Sequence, residues 1–188
     1  MAILLEDAVR GELAAAIERL RPISRDVAWV SPGNLHLTVK FLGNVAPERI
    51  DAVVAVLTDA VAGLGVFDAA IRGLGAFPSL ARPRVIWAGV TVGTGAMVEV
   101  ARRVDEALAA VGFSREARPF SPHVTLGRVR RPGPNSTLAN ALRAEEAREF
   151  GQIRVGGVRL VRSELSPHGA RYSELATAAL RGHAEGRV

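Results

Sequence analysis

Residues 31–43 read SPGNLHLTVKFLG, and residues 118–129 read RPFSPHVTLGRV. Each stretch sets a proline ahead of a run that opens His, apolar, Thr, apolar: His36, Leu37, Thr38, Val39 in the first and His123, Val124, Thr125, Leu126 in the second. Alternation with period two, bounded by Pro, Gly and Asn, predicts a strand in each place, with one apolar and one polar face. The repetition suggests two related halves.

Outward from these runs, apolar residues recur at helical spacing. The clearest sets are Val9, Leu13, Ile17 and Leu20; Ile50, Val53, Val54, Leu57 and Val61 after Pro47; and Val100, Val104, Leu108 and Val111 before Gly112. A fourth helix is expected from about Thr137 to Phe150, capped by Asn135 or Ser136. Short apolar or alternating runs fill the intervals, at 26–30, 36–42, 67–71, 85–92, 123–129, 152–155, 157–163 and 172–180. Several of these runs are adjacent and joined by short turns. That favours an α+β fold with antiparallel pairing over a doubly wound parallel sheet. No low-complexity segment or long linker divides the chain, so residues 1–188 are expected to form a single domain.

Composition narrows the chemistry. With 188 residues, 48% of them hydrophobic, the chain can bury a core without disulfides. Cysteine is absent, which excludes a thiol nucleophile and Cys-ligated zinc. No stretch approaches the roughly 20 apolar residues of a membrane span, and the start lacks the pattern of a signal peptide, so a cytoplasmic protein is expected. The formal net charge is +5 and Lys40 is the only lysine. Arginine suits phosphate through its planar fork, but the same bias follows from a GC-rich genome. Only 5% of residues are aromatic, too few for a long stacking platform.

Strand geometry gives the paired motifs their meaning. His36 and Thr38 share one face, as do His123 and Thr125, while Leu37 and Val124 point the other way. If the polar faces meet, two imidazoles and two hydroxyls converge. One ring can then accept a proton while the other donates, and the threonines can hold non-bridging phosphate oxygens. Chance would set two of the four histidines two residues before a threonine only about 1% of the time. The other two, His168 and His183, read as surface residues. No HExxH helix or carboxylate cluster calls for a metal, and no cofactor is expected.

The pair HLTV and HVTL in these settings resembles the 2H phosphoesterase superfamily, and within it the RNA 2′,3′-cyclic phosphodiesterases, also called 2′-5′ RNA ligases. PRVIWAGV at 83–90 and LVRSELSPHGARYSELATAAL at 160–180 extend the resemblance over nearly the whole chain. It implies two pseudo-symmetric lobes, each an antiparallel sheet with helices outside, enclosing a central cleft lined by one His-x-Thr strand from each lobe. It implies that His36 and His123 are catalytic and that Thr38, Thr125 and Arg128 bind the phosphate. Simple alternation puts Arg128 on the face opposite His123, so it reaches the cleft only if the strand twists or bulges near Gly127. Lys40 shares the parity of His36 but reads as a solvated strand-edge residue. Phe120 and Tyr172 are candidates to pack against a base or ribose. The opening MAILLED is similar to the family's first strand without its initial residues.

The activity implied is metal-independent hydrolysis of RNA 2′,3′-cyclic phosphate ends to 2′-phosphates. His123 would act as base on water and His36 as acid on the departing 3′-oxygen. The alternatives are 2′-5′ ligation at the same site and a non-catalytic RNA-binding module. The expected partner is RNA or a nucleotide with a cyclic phosphate, with no membrane and no obligate protein partner.

Overall fold

A computed structural model of the chain describes residues 1–166 and 169–182; His168 and His183 lie outside the described residues. In chain order the elements are β1 (Ala2–Leu4), α1 (Asp7–Leu20), β2 (Val27–Trp29), β3 (His36–Thr38), α2 (Ile50–Val61), β4 (Phe67–Phe77), β5 (Val85–Val92), α3 (Thr94–Ala110), β6 (His123–Val129), α4 (Ser136–Ala144), β7 (Glu149–Val155), β8 (Gly157–Ser166) and β9 (Gly169–Ala179). The fold is α+β with antiparallel pairing throughout the named strands, as the interleaved pattern predicts.

The strands run in the order β7-β4-β5-β6-β3-β1-β8-β9, with β2 added beside β6. The two His-x-Thr strands are therefore neighbours at the middle of a continuous curled sheet, joined through the pair Leu37↔Val124. The strands to one side of this seam belong to the second motif and those to the other side to the first. One face of the sheet is apolar: Leu37, Ile86, Ala88, Val124 and Leu126 are 0% exposed and share a core cluster with helix residues such as Leu13, Val53, Leu57, Val104 and Leu138. Burying these side chains excludes water from that face, and the histidines and threonines of the two motifs alternate onto the opposite one.

Local chemistry sets the element ends. α2 begins after a 3-10 turn at Pro47–Arg49, where the missing proline N–H costs nothing. At α4 the Asn135 side chain accepts from the Leu138 N–H at 2.9 Å. That helix stops at Ala144 rather than continuing to Phe150, because Phe150 is needed in β7, where it is 2% exposed. The strand β3 stops at Thr38, short of the expected residue 42. The Val39 and Lys40 N–H groups both turn to the Met1 carbonyl, and the Lys40 side chain turns inward. There its ammonium meets Asp105 at 2.5 Å and the Ser114 carbonyl at 2.8 Å, so Lys40 is a buried structural cation and not a solvated edge residue. Burial pushes the Asp105 carboxyl up, but Lys40, the Glu116 N–H and Arg115 outweigh it and hold it below its ordinary range. Among the described residues no helix is long and apolar enough to cross a membrane.

Candidate active site

The two motifs are built alike. His36 Nδ1 lies 2.8 Å from the Asn34 carbonyl, and His123 Nδ1 lies 2.7 Å from the Ser121 carbonyl, in each case two residues back along the chain. A carbonyl can only accept, so each contact places the proton on Nδ1 and leaves the Nε2 lone pair available. In the first motif the 3-10 turn Pro32–Asn34 gives way to extended backbone at Leu35, which brings the ring over the Asn34 carbonyl; in the second, Pro122 biases Ser121 toward extended backbone. Thr38 Oγ1 is 3.1 Å from His36 Nε2. Asn34 does double duty: its side-chain amide donates to the Ala170 carbonyl of β9 at 2.6 Å, tying the first motif to the C-terminal hairpin.

Register relates the motifs to each other. Leu37↔Val124 is an antiparallel pair, so continuing it one step each way sets His36 across from Thr125 and Thr38 across from His123. The imidazoles are thus diagonal to one another around the Leu37–Val124 pair, each beside the other motif's hydroxyl.

Each ring also meets an aromatic edge to face. His36 packs against Tyr172 with centroids 5.0 Å apart and planes at 74°. His123 packs against Phe77 at 5.0 Å and 81°. Phe77 in turn lies 5.3 Å from Trp87, whose indole covers Gly75 and Gly89 of the neighbouring backbone. A Cβ at Gly75 would stand 2.3 Å from that indole, so only glycine fits beneath it. Tyr172, 42% exposed, thus lies in the site. Phe120 is half-buried and packs against the core, and the ring beside His123 is Phe77, which sequence reasoning missed.

Arg128 reaches the polar face through a bulge. Trp87 pairs with Thr125, Ile86 with Gly127 and Val85 with Arg128, so Leu126 is an extra residue in β6. Val85 and Trp87 are two apart on β5 and share a face; their partners Arg128 and Thr125 therefore share it too, although they are three apart. Gly127 tolerates no side chain here, because its Cβ would lie 2.6 Å from Val27 Cγ1 and 2.9 Å from Trp29 Cε3. Arg128 is exposed and has no carboxylate partner among the described residues.

The two imidazoles differ in environment. Burial pushes the His36 pKa below its ordinary value, more than the Asn34 hydrogen bond raises it. In the unliganded protein His36 therefore favours the neutral form. Among the described residues no three His, Asp or Glu side chains cluster in a metal-binding arrangement. The arrangement can accept a proton at one Nε2 and donate one at the other, with two hydroxyls and a guanidinium on the same face.

The family description "2′-5′ RNA ligase superfamily" matches residues 9–167. An RNA 2′,3′-cyclic phosphodiesterase of Methanothermobacter thermautotrophicus is 33% identical over 93% of this chain and 94% of its own length. One of Archaeoglobus fulgidus is 34% identical over 93% of this chain and 96% of its own. Among solved structures, TT0787 of Thermus thermophilus is similar with a TM-score of 0.80 at 32% identity, over 97% of each chain.

Proposed function

The chain belongs to the 2′-5′ RNA ligase superfamily, within the 2H phosphoesterases, and from that premise we propose that it hydrolyses RNA 2′,3′-cyclic phosphate ends to 2′-phosphates. The observation that carries this reading is the matched pair of imidazoles, each with Nδ1 bound to the carbonyl two residues back, which leaves Nε2 as the nitrogen that can exchange a proton.

The chemistry follows from the substrate. A cyclic phosphate already holds its leaving oxygen beside phosphorus, so water can attack directly, in line with the oxygen that departs. Attack and departure occur on opposite sides of phosphorus, which requires a base and an acid at separate points. Rings diagonal to one another across the Leu37–Val124 pair suit that requirement. His123 takes the proton from water and His36 gives one to the 3′-oxygen, the bond from phosphorus to that oxygen breaking as the new one forms. Thr38, Thr125 and Arg128 stabilise the charge on the non-bridging oxygens. His36 must be protonated for this step, and its burial opposes that in the free protein. The docked phosphate anion supplies the opposing effect, since a negative charge beside an imidazole favours the imidazolium.

The test is product analysis on a cyclic-phosphate RNA oligonucleotide and on a 2′,3′-cyclic mononucleotide. A 2′-phosphate product is expected from each; a 3′-phosphate would reverse the orientation of substrate between the histidines, and no turnover of either would remove the reading.

A further inference from the structure

Beyond Arg128, the end of β6 lies among exposed arginines that the chemistry above does not use. Here β2, β6 and the loop between β4 and β5 end together: the Val129 N–H donates to the Arg84 carbonyl at 2.9 Å, the Arg130 N–H to the Asp26 carbonyl at 2.8 Å, and Arg130 Nη1 to the Arg25 carbonyl at 3.3 Å. The side chains of Arg25, Arg82, Arg84, Arg130 and Arg131 are all exposed. In the three segments involved, residues 22–26, 78–84 and 128–135, Asp26 is the only carboxylate, and it pairs with Arg131 at 3.1 Å. Arg25, Arg82, Arg84 and Arg130 have no ion-pair partner among the described residues.

The surface beyond the end of β3 is different. Where the chain leaves β3, an open depression of about 460 Å³ is lined by residues including Phe41, Arg49, Arg115 and Glu116. Arg115 is paired with Asp105 at 3.2 Å and Glu106 at 3.5 Å, and Lys40 is buried against Asp105. On α3, Arg102 is likewise paired with Glu99 and Glu106, and Arg103 with Glu99. A guanidinium already held by a carboxylate must give up that contact to meet a phosphate, whereas an unpaired one need only release counterions.

We infer that the rim formed by Arg25, Arg82, Arg84 and Arg130 carries the phosphodiester backbone 5′ of the reacting end, so that an RNA strand gains contacts there that a free cyclic nucleotide cannot make. This rests on the hydrolase reading for what occupies the cleft. From Thr125 to Arg130 the strand covers about 15 Å, enough for more than one nucleotide. Contacts of this kind position a strand without reading its bases.

The test uses two probes: a 5′-labelled single-stranded RNA hexamer ending in a 2′-phosphate, followed by fluorescence anisotropy, and a 2′,3′-cyclic mononucleotide, followed by turnover. In the triple variant Arg25→Gln, Arg84→Gln, Arg130→Gln, hexamer affinity should fall about tenfold or more at low salt. The slope of log K against log salt should become shallower by about 2, the sum over three lost phosphate contacts on a single strand. Turnover of the mononucleotide should stay within twofold. Unchanged hexamer affinity, or an equal loss with both probes, would overturn the inference. So would Arg49→Gln weakening the hexamer as much as the triple variant, since that would place the strand on the surface beyond β3. A wild-type protein that binds the hexamer through the rim yet turns over neither substrate would remove the hydrolase reading and leave the rim standing.

Discussion

Leu37 and Val124, the apolar residues inside the two His-x-Thr motifs, are cross-strand partners and both are 0% exposed. The seam between the motifs is therefore core packing, and the polar face inherits its geometry from it. Leu37→Ala should cost about 2–5 kcal/mol of stability through the cavity it leaves. Chemical denaturation would check this, and a loss under 1 kcal/mol would show that the seam repacks freely.

His36→Ala and His123→Ala should each lower kcat by roughly 100- to 10,000-fold, about 3–5 kcal/mol of barrier, if each ring moves a proton. Thr38→Ala and Thr125→Ala should cost less, because a neutral hydroxyl contact is weaker than an acid or a base. A folded His123→Ala protein with near-normal turnover would falsify the assignment. A substrate with an activated 3′ leaving group should rescue His36→Ala far more than His123→Ala, and the reverse pattern would exchange the two roles.

The pH profile should separate free from bound protein. Burial sets the His36 pKa below 6.5, and as the acid His36 must carry its proton, so the alkaline limb of kcat/KM should begin below that value. The limb of kcat should lie higher, because the bound anion favours the imidazolium. Coincident limbs would argue that the phosphate does not sit beside His36. The same lowered pKa means that the unfolded chain binds this proton more readily. The stability contributed by His36 is therefore complete above about pH 6.5 and declines as pH falls through that value.

Phe77→Leu should lower kcat about 2- to 10-fold, the worth of one aromatic contact, with little change in KM for a cyclic mononucleotide. Gly75→Ala should act on the same ring from below, since its Cβ would stand 2.3 Å from the Trp87 indole. Displacing that indole should cost about 1–3 kcal/mol in stability as well as turnover. Kinetics paired with thermal melts would distinguish the two; loss of stability in Gly75→Ala with full activity would detach Phe77 and Trp87 from His123.

Turnover should survive EDTA, because paired imidazoles need no Lewis acid to activate water in this scheme. Activity abolished by chelator and restored by a divalent ion would count against acid-base chemistry by His36 and His123.

The site was legible in the sequence wherever period-two alternation holds. It placed His36 with Thr38 and His123 with Thr125, and the same rule put Leu37 and Val124 in the core. It broke at Arg128, where the extra Leu126 inverts the alternation; Gly127 was the only hint, and a glycine does not say how many residues a bulge holds. Phe77 was hidden for another reason. It ends the run GLGAF, which lies beyond the strand expected at 67–71, although β4 continues through it and Gly75 admits the Trp87 ring from β5. The signal that could have found it is the match of a small residue, Gly75, to a large one, Trp87, on the next strand. The end of α4 was likewise not marked, because helical spacing ran on to Phe150, a residue that packing claims for β7.

Asn34 gives the two imidazoles different supports. His36 depends on a chain of contacts that ends in β9, the last strand at one margin of the sheet: the Asn34 carbonyl holds the ring, the Asn34 side chain holds Ala170, and Tyr172 flanks the ring from the same hairpin. His123 instead leans on Phe77 and on strands enclosed on both sides. Marginal strands open before enclosed ones. On warming, the first motif should lose its fixed proton position before the second, so turnover should fade below the temperature at which circular dichroism shows the body of the protein to unfold.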